Sequence, residues 1–151
     1  MEKDIAMMRL ALDQAKYAAA ALEVPVGAVA VWDGEVIATA HNRREEDKSA
    51  LAHAEILAIE QACRLLGGWR LHRLTLYITL EPCPMCAGAI INARIPRVVF
   101  GARDPKAGCF GSICDFRKLS FNHKPTVVAG VLEDECAKLL ANFFQALRKE
   151  K

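Results

Sequence analysis

The stretch LTLYITLEPCPMCAGAIIN, Leu74 to Asn92, sets the frame for the whole chain. Its opening part, Leu74–Leu80, is rich in β-branched and aromatic side chains and predicts a strand. Its closing part, Pro84–Asn92, predicts a short helix with proline in the first turn, where a missing N–H costs nothing. The junction between them, Pro82-Cys83-Pro84-Met85-Cys86, places two cysteines three positions apart at a helix start. That spacing can grip one zinc ion. The free N–H groups and dipole of a helix start also favour thiolate over thiol. Open α/β sheets place their sites in such loops, at strand ends.

Working outward, residues 52–66 predict a helix stopped by Gly67-Gly68, and His53-Ala54-Glu55 falls at its start. Farther upstream, Ile5, Met8, Leu12, Ala15, Ala19 and Leu22 recur at helical spacing. They predict an amphipathic helix over 4–22, ended by Pro25. Residues 26–32 and 35–40 predict two strands joined by a tight Asp33-Gly34 turn. Residues 42–50 are polar and predict a loop. Downstream, 97–102 and 126–131 predict strands on either side of an irregular segment, 103–124, with room for an extra turn. A last helix spans 133–149, with Leu139, Leu140, Phe143 and Leu147 on one face. Strands alternating with helices after a hairpin predict an α/β fold, a mixed five-stranded sheet covered by helices on both faces. No repeat, low-complexity tract or linker divides the 151 residues, so a single domain over 1–151 is expected.

Composition removes several classes. Hydrophobic residues make up 53% and charged residues 25%, which excludes a disordered chain. No apolar stretch approaches the roughly 18 residues of a membrane span. Glu2, Lys3, Asp4, Arg9 and Asp13 interrupt the N-terminal region, so no secretory signal is read there and a cytoplasmic protein is expected. Without export, the six cysteines point to metal ligation or burial rather than to disulfides. The net charge is +2, but seven basic residues between Arg94 and Val128 face only Asp104 and Asp115. A local basic region on a near-neutral protein can dock a polyanion, although charge alone fits a solvated loop as well.

His53, Cys83 and Cys86 make three metal donors. A structural zinc is closed by four protein ligands, whereas a catalytic zinc keeps one position for water. Glu55 suits the second role, that of a proton carrier. Two residues apart in a regular helix splay by about 200°, so Glu55 reaches the metal only if His53 projects from an irregular first turn. Two other readings stay open on these residues. A C-x-x-C pair can be a redox centre, and Cys109 with Cys114 could complete a four-cysteine zinc site. Cys63 and Cys136 fall in helices and read as core. His41, His72 and His123 read as surface or hydrogen-bonding residues.

His-Ala-Glu followed by Pro-Cys-x-x-Cys resembles the signature of the zinc-dependent cytidine deaminase superfamily. Within it, several stretches resemble the bacterial transfer-RNA adenosine deaminases in order: Glu23 to Ala28, Ala52 to Glu55, Leu80 to Gly88, Arg97 to Asp104, and Asn122-His123. Phe100-Gly101-Ala102-Arg103-Asp104 favours this branch over the guanine, cytosine and riboflavin-pathway deaminases. Cys109, Cys114 and the stretch Phe116–Phe121 depart from the family pattern.

The resemblance implies a three-layer α/β/α fold, a homodimer, and one zinc per subunit held by His53, Cys83 and Cys86, with no organic cofactor. The implied reaction is hydrolytic deamination of the wobble adenosine of an anticodon, chiefly that of an arginine tRNA, to inosine. A zinc-bound hydroxide would attack while Glu55 shuttles the proton. The resemblance also implies substrate contacts from Asn42, Ala54, Pro82 and Asp104, and an anticodon stem-loop as the partner. Arg44, Lys48, Arg70, Arg103, Lys106, Arg117, Lys118, Arg148 and Lys149 are candidates for RNA phosphates, and Phe143 or Phe144 for stacking, with core burial expected for at least one of the two. Competing expectations are a small-molecule base deaminase of the same superfamily, a noncatalytic RNA-binding subunit, and a structural-zinc domain.

Overall fold

The tight turn at Asp33-Gly34 starts the sheet. Both residues take positive φ, 48° and 85°, as a two-residue hairpin of this hand requires. The computed structural model describes residues 1–150. In chain order the elements are α1 (Glu2–Ala20), β1 (Gly27–Trp32), β2 (Glu35–His41), α2 (Ala54–Leu66), β3 (Leu74–Leu80), α3 (Pro84–Asn92), β4 (Arg97–Ala102), β5 (Thr126–Ala129) and α4 (Glu133–Lys149). A 3₁₀ turn, Phe116–Lys118, occupies the irregular segment between β4 and β5.

The strands lie in the order β2-β1-β3-β4-β5. β1 runs antiparallel to β2 and β3, whereas β3, β4 and β5 are parallel. Successive side chains of a strand point to opposite faces, and the core divides accordingly. Ala28, Ala30, Leu74, Leu76, Ile78, Val98 and Phe100 face α2 and α3, meeting Ala54, Ala58, Ala87 and Ile90. Val29, Val31, Tyr77 and Val99 face the other way, toward Met8, Ala11 and Leu12 of α1 and Cys136 of α4. The result is the three-layer α/β/α sandwich.

Six boundaries differ by one or two residues from the sequence reading, and three of them follow from local backbone geometry. Helix α1 stops at Ala20 because Leu22 turns left-handed, φ 63°. The Leu22 N–H then donates to Ala19 O and the Glu23 N–H to Ala18 O, closing the last carbonyls. Helix α2 begins at Ala54, not at residue 52, with His53 as its cap. Strand β5 ends at Ala129, because Gly130 and Leu132 take φ of 85° and 54° before α4.

Two close approaches fix the helices on the sheet. A Cβ on Gly27 would run into the backbone of Ala11 and Ala15, so α1 rests directly on the start of β1. A Cβ on Gly101 would run into Cys136, which seats α4 on β4. Cys136 is buried as expected, while Cys63 is only half-buried.

Candidate active site

His53 caps α2 in an extended conformation, φ −74° and ψ 150°. It therefore stands outside the helical repeat, and the 200° splay expected between residues 53 and 55 does not apply. Glu55, in the first turn of α2, is buried. Cys83 caps α3 in the same way, φ −76° and ψ 176°, with Pro84 as the first helical residue. Each donor-bearing helix thus offers its N-terminus at the carboxyl ends of β3 and β4.

The Nδ1 atom of His53 lies 3.6 Å from Cys83 Sγ and 3.4 Å from Cys86 Sγ. A tetrahedral zinc ion with bonds of roughly 2.0 Å to nitrogen and 2.3 Å to sulfur holds those atoms about 3.6 Å apart. The donor set therefore fits such an ion. Among the described residues it is the one His/Cys/Asp/Glu group able to hold a metal, and all its donor atoms lie within 4.8 Å of one another. Cys109 and Cys114 are not part of it, so no four-cysteine site forms. Cys109 is buried with its thiol donating to Ala107 O at 3.4 Å, and Cys114 is exposed.

The electrostatics suit cation binding. A hydrogen bond from Cys86, with help from His53, brings the Cys83 thiol down to about 4 despite burial. The Cys83 contact and burial push the Cys86 thiol up. The hydrogen bond to Cys83 raises the His53 imidazole. Three donors, two of them thiols, thus share protons that a metal ion would displace. Burial raises the Glu55 carboxyl above the ordinary glutamate range.

These groups open on a cavity of about 680 Å³, a size suited to a small molecule or a single nucleoside. Apolar side chains, Val24, Val26, Leu80 and Ala102, make much of its wall, and His53, Glu55 and Cys83 lie at its polar end. Asn42, Ala54 and Asp104 also line it. Pro82 does not line it; its carbonyl accepts the Cys109 N–H at 2.9 Å. Asn42 is partly engaged, donating to Val24 O at 3.2 Å and accepting from the Arg44 N–H at 3.2 Å. One donor and one acceptor position of its amide are left for a ligand. Asp104 builds its own turn, with Oδ1 accepting from the Lys106 and Ala107 N–H groups.

Of the nine basic candidates, Arg44, Arg103 and Lys106 line the cavity. Arg117 is engaged by Asp115 at 2.7 Å, and Arg70 lies over the Trp69 ring at 4.7 Å. Phe144 lines the cavity and is exposed, and Phe143 is half-buried. Neither phenylalanine joins the core; Cys136 is the one fully buried residue of α4. His41, His72 and His123 each bond a backbone carbonyl and stand apart from the donor set. Two residues that sequence reasoning passed over prove important. Glu23 and Glu81 are both buried, and each accepts backbone N–H groups from a loop beside the cavity.

A mixed sheet of this order, with a His-Cys-Cys donor set and a buried glutamate at its strand ends, defines the cytidine-deaminase-like class of hydrolytic enzymes. Residues 1–148 match the family model described as MafB19-like deaminase. Over its full length the chain is 53% identical to the tRNA-specific adenosine deaminase of Bacillus subtilis, covering 94% of that protein. It is 48% identical to the enzyme of the same name from Agrobacterium fabrum, with 93% of each chain covered. A solved structure from a study of A-to-I editing by tRNA:A34 deaminases at the wobble position superposes with a TM-score of 0.86. That alignment has 48% identity and covers 89% of this chain and 99% of the other. The chain belongs to the MafB19-like deaminases and to the family of tRNA-specific adenosine deaminases.

Proposed function

We propose that this enzyme converts the wobble adenosine of a tRNA anticodon, chiefly that of an arginine tRNA, to inosine, with one zinc ion held by His53, Cys83 and Cys86. The observation that carries the reading is the position of Glu55, buried on the wall of the cavity into which His53 and Cys83 also face. Full-length similarity to tRNA-specific adenosine deaminases supports adenosine in RNA as the substrate.

Held by His53, Cys83 and Cys86, a zinc ion would supply Lewis acidity, which lowers the pKa of a water from about 15.7 to about 7. Glu55 takes a proton from the attacking water and passes it to N1 of the adenine, which makes C6 electrophilic. It then carries the second proton of that water to the exocyclic amine, which leaves as ammonia. One carboxylate serves both transfers because each returns it to its starting form. Asn42, with its remaining donor and acceptor positions, holds the nucleoside. Val24, Val26, Leu80 and Ala102 enclose the ring and keep bulk water out. An anticodon loop presents its bases unpaired, so turning one into the cavity costs little. Arg44, Arg103 and Lys106 hold the phosphates on either side.

The enzyme is read as one catalytic domain and as a homodimer, the latter tested by light scattering. The function is tested by incubating zinc-loaded protein with an arginine anticodon stem-loop carrying adenosine at the wobble position, beside free guanine, cytosine and adenosine. Inosine in the RNA alone is the expected result. Turnover of a free base without inosine in the RNA would move the enzyme to a small-molecule branch of the superfamily.

A further inference from the structure

We infer that Glu81 is a positioning residue, whose buried carboxylate fastens the 104–112 loop against the cavity and so sets the loop's grip on RNA. The inference rests on the proposed tRNA reading for its substrate and on the geometry of the loop for its physical content.

Glu81 follows β3 directly and is 1% exposed. Its Oε1 accepts the Asp104 N–H at 3.0 Å and the Ser112 hydroxyl, and its Oε2 accepts the N–H groups of Phe110 at 3.0 Å and Ser112 at 3.1 Å. An ionised carboxylate has about four acceptor positions, and all four go to this one loop. No lysine or arginine pairs with Glu81 among the described residues. A buried carboxylate without a cation is costly unless hydrogen bonds replace its water, so the loop's shape and the charge depend on each other.

The bonds fall at the two feet of an arch, residue 104 on one side and residues 110 and 112 on the other. The span between them, Pro105-Lys106-Ala107, is cavity wall, as are Arg103 and Asp104. Gly108 packs on the carboxylate itself, so closely that any Cβ there would strike Glu81. Neither the donor set nor Glu55 touches this arrangement through a hydrogen bond. Glu81 shares the cavity wall with Glu55, but its four bonds all go to the loop that carries Lys106, so its effect is expected on how the RNA is held.

The test compares Glu81→Gln and Ser112→Ala with the unaltered zinc-loaded enzyme. The readouts are metal content, kcat and KM on the arginine stem-loop, and amide hydrogen exchange at Phe110 and Ser112. A glutamine turns an NH₂ group toward N–H donors. KM should rise by about tenfold, the equivalent of one lost charge-assisted hydrogen bond, with kcat and zinc content within about twofold. Ser112→Ala removes one of the four bonds and should raise KM by about threefold in the same direction. Exchange at both amides should quicken in Glu81→Gln. Unchanged KM, or a fall in kcat at constant KM, would overturn the inference. If Glu81→Gln does not fold, Ser112→Ala decides by the same criterion. If the unaltered enzyme leaves the stem-loop untouched, the tRNA reading fails separately. The exchange measurement then still decides the clamp, and unchanged protection would refute it.

Discussion

Four carboxylates are buried in this protein, and only one of them is available for chemistry. Asp4 is tied to Arg97 and Tyr77, Glu23 to the Glu45 and Glu46 amides, and Glu81 to its loop. Glu55 has only its own amide and the Cys86 thiol as donors, and it faces the cavity. A group with weak fixed partners in a desolvated site is the one that can exchange protons with a substrate. Glu55→Gln is expected to lower kcat by about 10²–10⁴-fold, the usual contribution of a positioned proton carrier. Metal analysis should find zinc retained, because the three donor atoms are untouched. A variant that keeps near-normal turnover would remove Glu55 from its role.

The elements are held together by a few specific contacts, and these set the stability. Arg97 at the start of β4 grips Asp4 of α1 with two bonds, 2.9 and 2.7 Å, and the Tyr77 hydroxyl donates to the same carboxylate at 2.7 Å. The hydrogen bonds from Arg97 hold the Asp4 carboxyl down to about 2, below its usual 3.8. A carboxyl with a depressed folded-state pKa stabilises the fold above its unfolded value, and that stabilisation disappears as pH falls from about 4 toward 2. The loss should reach at most about 2 kcal/mol, since Arg97 remains partly exposed and screened. Asp4→Asn should flatten the pH dependence of urea unfolding in that window while lowering stability at neutral pH. Gly27→Ala should cost about 2 kcal/mol or more, because the added methyl meets helix backbone that cannot step aside. Thermal unfolding would show it.

Much of this framework was legible in the sequence. Leu74–Leu80, Pro84–Asn92 and Arg97–Ala102 match their expected bounds residue for residue, because prolines and strand-type side chains mark their limits. The grouping of His53, Cys83 and Cys86 as candidate metal donors was legible from residue type and spacing. His53 as a cap was not, since extended and helical backbones take histidine equally well. The clamps at Glu23 and Glu81 left no trace, because their partners are backbone N–H groups 22 to 31 residues away. A backbone donor has no letter in a sequence.

At the scale of the whole molecule the charge is nearly balanced, and the cations that matter are concentrated at one opening. Arg44 reaches it from the loop after β2, and Arg103 and Lys106 from the loop after β4. If three phosphates are neutralised there, the affinity for a stem-loop should fall with salt with a log–log slope of about −2, at about −0.7 per single-stranded contact. Binding of a free nucleoside should show almost no slope. Equal slopes for both ligands would place the RNA elsewhere.

The run of the two outer helices carries a practical corollary. α1 starts at the end of the sheet remote from the opening, where Lys3 reaches the Asp33-Gly34 turn and Asp4 meets the first residue of β4. α4 finishes beside the opening, with Phe144 on its wall and Leu147 on the neighbouring groove. An affinity handle or a second targeting module joined ahead of Met1 would trail behind the catalyst and leave its entrance clear. The same module joined after α4 would hang across the entrance and compete with the nucleic acid for room.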